Sequence, residues 1–318
     1  MQPFDAILRG YSVSSFTITY GYWAGGNTGP APYLSEVDRI TFSTSIIAAN
    51  TSSVPTAIYF TAGVSDGVTY GYFCGGYTGA ACSVVNKIAL STSAISANSS
   101  NLTIPLYCLA ALGDGVTYGY VAGGYSTATS SVVNRLTFST GVFAANTTSL
   151  SQKRYQIAGL SDGSLYGYFD GGTTGAPPYT TTSDMVTFST SALAAHTASK
   201  LSEGKIGSAG ISDGVNYGYF SGGATSSSAM RKTTDRITFS TSTAAAYTTG
   251  NLVITTANLG GISDGSTYGY AGGGQTTALV ATVEKLTFSA GTYSTNTTAN
   301  LNLVSARTAP YGCSDSKV

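Results

Sequence analysis

A twelve-residue phrase, Ser212-Asp-Gly-Val-Asn-Tyr-Gly-Tyr-Phe-Ser-Gly-Gly223, returns in recognisable form along the whole chain of 318 residues. Its Tyr-Gly-Tyr core begins at Tyr20, Tyr70, Tyr118, Tyr166, Tyr217 and Tyr268, so successive copies are 50, 48, 48, 51 and 51 residues apart. A period near 50 accommodates one four-stranded antiparallel unit and is too long for the helical arrays that repeat at about 33 to 34 residues. The chain therefore has to be read as a set of equivalent units.

Each unit resolves into four short strands. The first is built of small residues: Ala62-Gly63, Ala110-Ala111, Ala158-Gly159, Ala209-Gly210 and Gly260-Gly261, with Tyr311-Gly312 as the exception. Asp-Gly follows in five copies (Asp66, Asp114, Asp162, Asp213 and Asp264, each with its glycine), and Asp315-Ser316 in the sixth. Asp-Gly between strands predicts a two-residue type I′ hairpin. The second strand is Tyr-Gly-Tyr-Phe-x-Gly-Gly, whose aromatics suit a sheet while its glycines admit a close neighbour. The third, typified by Ile237-Thr-Phe239, alternates with period two, and the fourth is typified by Val142-Phe-Ala-Ala-Asn146. Six such units predict an all-β, six-bladed β-propeller with four antiparallel strands per blade. Ser314-Asp-Ser-Lys-Val318 is in phase with Ser65-Asp-Gly-Val-Thr69, so the next residue of the cycle is the tyrosine that Tyr20 supplies. The ring is expected to close with a C-terminal first strand beside three N-terminal strands, leaving no exposed sheet edge. Residues 16–318 form the propeller in this reading, and residues 1–15 an appendage or degenerate strand. The alternative closure places Ile7 to Ser14 in the vacant position.

Composition narrows the function. Charged residues make up 9% of the chain and balance to zero, so no basic field gathers phosphates and nucleic acid is excluded as a partner. No apolar run is long enough to span a bilayer, and the N-terminus lacks the basic-then-apolar order of a secretory signal. Cys74, Cys82, Cys108 and Cys313 have neither paired spacing nor a histidine set for zinc. Cys313 is in phase with Val64, Leu112, Leu160, Ile211 and Ile262, which reads as a small buried apolar residue, and Cys74 and Cys82 fall within one blade. The only histidine, His196, cannot make a copper site alone and reads as structural or solvent-facing. Turn chemistry accounts for the aspartates from Asp66 to Asp315 without a cation. Before each third strand stands an acid or amide followed by a mostly basic residue: Asp38-Arg39, Asn86-Lys87, Asn134-Arg135, Asp184-Met185, Asp235-Arg236 and Glu284-Lys285. These are expected to make hydrogen bonds between blades. No catalytic set, metal site or cofactor is expected.

At the Gly-Gly pairs (Gly25, Gly75, Gly123, Gly171, Gly222 and Gly273, each with the following glycine) and the aromatics before them, the unit resembles the kelch repeat. Kelch units carry a basic residue before the first strand, present here as Arg154, Lys205 and Arg307, and a fourth-strand tryptophan, absent here; the single tryptophan, Trp23, lies in a second strand. The wording of the repeat, YGYFxGGxTG then ITFST then AANTTS, is also similar to repeats in virion and fibre-like proteins of tailed bacteriophages, notably those of cyanobacteria. That resemblance implies a non-enzymatic virion structural protein, a tail- or fibre-associated adhesive or receptor-binding component. It would sit in a larger assembly and contact other virion proteins or a host surface glycan. The alternatives are an intracellular kelch-type adaptor and a carbohydrate-active propeller enzyme.

Contact residues are expected where the copies diverge. The segments between second and third strands vary in length and content, and antiparallel order puts them on the same face as the fourth-to-first connections. On that face Tyr33, Tyr77, Tyr125 and Tyr179 are candidates for stacking on a sugar or filling an interface, and Arg231 with Lys232 forms a local cationic pair.

Overall fold

The computed structural model describes residues 19–29, 33–295 and 302–314. The expected appendage at residues 1–15, the alternative closing strand Ile7 to Ser14 and the Asp315-Ser316 turn lie outside these residues. Six four-stranded antiparallel sheets form a six-bladed propeller. Blade 1 is the composite one: Tyr311–Ser314 pairs with Tyr20–Ala24, followed by Val37–Thr41 and Ile46–Ala49. The register Tyr22 to Cys313 and Trp23 to Gly312 joins the two ends of the chain. Blades 2 to 6 begin at the strands Ala62–Ser65, Ala110–Gly113, Ala158–Ser161, Ala209–Ser212 and Gly260–Ser263.

The small first strands line the axis because their backbones touch there. A β-carbon on Gly210 would lie 2.2 Å from the Gly159 carbonyl oxygen, and one on Gly261 would lie 2.3 Å from that of Gly210. The Ser212 hydroxyl donates to the Ser161 carbonyl and Ser263 to Ser212, both at 2.6 Å. Among the described residues, two cavities of about 70 Å³ each lie along the axis.

The first hairpin differs from the expected type I′ turn. That turn needs positive φ at both central residues, whereas the glycine alone has it, as at Gly67 (φ 69°). The aspartate acts through its side chain instead: Asp66 Oδ1 accepts from the amides of Val68, Thr69 and Tyr70, at 2.9, 2.6 and 2.9 Å. Asp114, Asp162, Asp213 and Asp264 repeat the arrangement. One carboxylate oxygen thus satisfies three amides of a longer turn, a role for aspartate that needs no cation.

Each residue of Tyr-Gly-Tyr has a separate task, the first within its own blade and the other two between blades. The first tyrosine carries a third-strand cation over its ring: Arg39 on Tyr20, Lys87 on Tyr70, Arg135 on Tyr118, Arg236 on Tyr217 and Lys285 on Tyr268, at 3.4–4.5 Å. The glycine leaves room for an aliphatic side chain of the preceding blade, such as Leu160 against Gly218 and Ile211 against Gly269. The second tyrosine is fully buried and stacks on a third-strand aromatic of the next blade, as Tyr120 on Phe188 and Tyr168 on Phe239. Its hydroxyl then latches to a serine in that blade's outer turn: Tyr22 to Ser93, Tyr120 to Ser191, Tyr168 to Ser242 and Tyr270 to Ser45. Each latch contributes about 0.5–1.5 kcal/mol.

The acid and base before each third strand divide their work, which corrects the expectation that both bond between blades. The bases do so: Arg39, Arg135 and Lys285 donate to Ser93, Ser191 and Ser45 of the next blade. The acids stay within their own blade. Asp184 pairs with Arg154 at 2.5 Å, Asp235 with Lys205 at 2.9 Å, and Asp38 with Arg307, all six side chains being buried. Asp184 and Asp235 also accept an amide of the incoming connection, from Ser151 and Ser202. The first strand of a blade is thereby tied to its third.

Trp23 bears on two glycines of blade 6. It is fully buried, donates to the Gly260 carbonyl at 3.0 Å, and occupies the space that β-carbons on Gly260 and Gly272 would claim. Cys313 is buried as its phase predicted, and none of the four cysteines is in a disulfide.

Candidate functional site

The long loops and the fourth-to-first connections meet on one face. In each blade they are joined by a short bridge: Tyr59 with Tyr77, Tyr107 with Tyr125, Tyr155 with Thr173, Ile206 with Ala224, Ala257 with Gln275, and Thr308 with Asn27. Three of the six bridges carry tyrosine. They belong to consecutive blades, 2 to 4, and this gives the face two unlike halves.

In the aromatic half the rings touch in series. Tyr33 of blade 1 lies 4.5 Å, centroid to centroid, from Tyr59, which lies 5.5 Å from Tyr77. Tyr77 lies 5.1 Å from Tyr107, Tyr107 5.7 Å from Tyr125, and Tyr125 5.2 Å from Tyr155. Phe60 packs on Tyr59 and Tyr107. From Tyr77 to Tyr155 the successive rings meet edge to face, an arrangement that favours aromatic contact and holds each ring against its neighbour. All seven side chains are half-buried, so each keeps part of its surface toward solvent. Rings from loop and connection alternate along the arc, which is therefore assembled by the blades rather than by any one loop.

Burial favours the protonated form of three hydroxyls of the arc. Burial, with the neighbouring Tyr33 and Cys108, pushes Tyr59 up to about 12. Burial likewise raises Tyr107 and Tyr155, and Tyr179 is among the neighbours that raise Tyr155 further. Tyr59, Tyr107 and Tyr155 thus present uncharged phenol groups able both to donate and to accept.

Neither a family model nor a curated protein matches the chain.

Of the six residues expected from sequence, Tyr33, Tyr77 and Tyr125 lie in the arc, and Tyr179 stands at its blade 4 end beside Tyr155. Arg231 and Lys232 do not form a free cationic pair. Arg231 meets Glu203 at 3.4 Å, Glu203 also accepts from Thr233, and Lys232 is exposed. Sequence reasoning missed Tyr59, Tyr107 and Tyr155, which lie in the connections and not in the variable loops. Their signal was their phase: each stands three residues before the small first strand, at steps of 48 residues.

The axial mouth beside the arc is ringed by residues in left-handed backbone, Phe60, Cys108, Gln156, Gly207, Asn258 and Ala309. Each from Cys108 to Ala309 donates its amide to the carbonyl of the one before. Gln156 Nε2 reaches Asn258 Oδ1 at 3.2 Å, across Gly207. A ligand on this face therefore meets a floor of amides and rings beside the axis.

His196 is half-buried and bonds through Nδ1 to Ser199, which bonds to Ser183. Ser183 neighbours the buried Asp170, whose carboxyl burial holds well above the usual range. Among the described residues, no three His, Cys, Asp or Glu side chains come together as a metal site.

Proposed function

We propose that this protein is a non-enzymatic recognition module of a tailed-phage virion, with the loop face as its contact surface. The observation that carries the contact half is the one-sided tyrosine arc on an otherwise six-fold repeated scaffold. Packing needs are alike in every blade, so a cluster confined to blades 1 to 4 follows a demand from outside the ring. A rigid scaffold with tyrosines among Ser, Thr, Gly and Asn also suits recognition, because tyrosine offers a large amphipathic surface at small entropic cost. The virion half rests on the wording of the repeats, and the kelch-like Gly-Gly and basic residues support a scaffold role.

Mass spectrometry of purified tailed-phage particles carrying the gene tests the virion assignment. The protein is expected among the structural components, and its absence would favour the intracellular adaptor. Competition by purified protein for particle adsorption tests the face: wild type is expected to compete, and a Tyr33→Ala, Tyr77→Ala, Tyr125→Ala variant to lose at least about tenfold in potency, equivalent to 1.4 kcal/mol. Equal competition by the variant would move the contact elsewhere.

A further inference from the structure

We infer that the arc binds a linear, uncharged saccharide chain lying along the rings from blade 1 toward blade 4. The inference rests on the loop-face reading above and specifies its ligand. The first argument is shape. Ring contacts run in sequence from Tyr33 to Tyr155 and form a track, whereas a stable protein partner needs a broad footprint of about 800 Å² per side with a ring of rim contacts around a centre.

The second argument is charge. The successive ring contacts are made by tyrosines alone, and burial raises the phenols of Tyr59 and Tyr107. The Arg154–Asp184 pair behind Tyr155 is fully buried and mutually compensated, and the Arg231–Glu203 pair adjoins Gly204, which packs against the Tyr179 carbonyl past the end of the arc. A sulfated or uronate polymer would gain no counter-charge from the rings themselves.

The third argument is the mixture of groups. A sugar ring offers an apolar C–H face for an aromatic surface and a rim of hydroxyls for hydrogen bonds. The track supplies both: ring surface from the tyrosines, and donors and acceptors from their phenols and from the Gln156 and Asn258 amides at the axial side. Side-by-side rings held edge to face cannot collapse onto one another when no ligand is present, so the site is pre-organised.

The test uses affinity electrophoresis of the full chain through native gels containing dextran, galactomannan or mixed-linkage β-glucan, with alginate and dextran sulfate as charged counterparts. Wild type is expected to be retarded by at least one neutral polymer, and to remain so in about 1 M NaCl, where the Debye length is about 3 Å. The variant Tyr59→Thr, Tyr107→Ala, Tyr155→Ile takes residues found at the same position in blades 1, 6 and 5 (Thr308, Ala257 and Ile206), so the scaffold already accommodates them. It is expected to keep the wild-type unfolding midpoint and to bind at least about tenfold more weakly. Val215→Ser, on the opposite face, is expected to bind as wild type does. Retardation by no neutral polymer, or only a salt-labile retardation by alginate or dextran sulfate, overturns the ligand class. A proline-rich peptide bound at the same tyrosines in place of every saccharide overturns the ligand class and leaves the loop face standing. Full binding by the folded triple variant overturns both.

Discussion

In five of the six blades the acid or amide at the third strand and the residue before the first strand vary together, blade 6 instead setting Glu284 on the amides of Val253 and Ile254, and that can be tested by transplanting one blade's pair into another. Where the connection carries Arg154, Lys205 or Arg307, the partner is Asp184, Asp235 or Asp38; where it carries Ile58 or Leu106, the partner is Asn86 or Asn134. Arg154→Leu leaves the Asp184 carboxylate fully buried with an amide of Ser151 as its remaining bond, and Asp184→Asn leaves a buried guanidinium without its counter-charge. Each single change is expected to cost about 3–5 kcal/mol, the penalty of an uncompensated buried charge. The double variant recreates the Leu106 and Asn134 pair of blade 3. It still withdraws the Arg154 hydrogen bonds from the carbonyls of Phe169, Gly171 and Thr182, although Thr182 keeps the Gly171 amide. About 2–3 kcal/mol is therefore expected for the double variant, against the ~6–10 kcal/mol of two independent losses. Urea unfolding followed through the buried Trp23 gives the cycle. A coupling below about 0.5 kcal/mol, the level at which separate sites simply add, would refute the claim that charge matching drives the covariation.

Gly210→Ala is expected to cost about 2–3 kcal/mol by forcing apart first strands whose backbones touch, read as a lower urea midpoint with an unchanged slope. Burial holds the Asp170 carboxyl well above its usual range, opposed in part by Ser183 and Arg154 and reinforced by Asp235 and Asp184. A raised folded-state pKa makes stability fall as pH climbs from the unfolded value near 3.9 toward the folded one, so Asp170→Asn should exceed wild type in stability at pH 8 and lose that advantage near pH 4. Parallel stability curves for the two proteins between those limits would show that Asp170 contributes no such term.

The scaffold was legible because its constraints recur. The Tyr-Gly-Tyr phase and the small first strands each follow from a packing demand met six times, and the closed blade 1, with Tyr22 beside Cys313, is as expected. The turn type was misread because Asp-Gly admits two solutions, and only geometry shows that Asp66 Oδ1 gathers three amides. The acid and base were misread for a related reason: their order along the chain does not say which of the two faces a neighbouring blade. The site was half legible. Loop variation pointed to Tyr33, Tyr77 and Tyr125, but Tyr59, Tyr107 and Tyr155 looked like part of the repeat, since they hold its phase.

Those three tyrosines also show how scaffold and surface are joined. The residue before Tyr155 is Arg154, whose guanidinium is fixed by Asp184 and by the carbonyls beside Gly171 in the core of blade 4. Tyr155 therefore leaves the backbone at a point anchored by a buried ion pair, and its neighbour Thr173 leaves the same strand end that receives that pair. In blades 2 and 3 the apolar Ile58 and Leu106 do the anchoring before Tyr59 and Tyr107. Two chemically different anchors thus deliver the same ring position, which separates the demand for a fixed connection, met in all blades, from the demand for a tyrosine on it, met only in the half of the face that forms the arc.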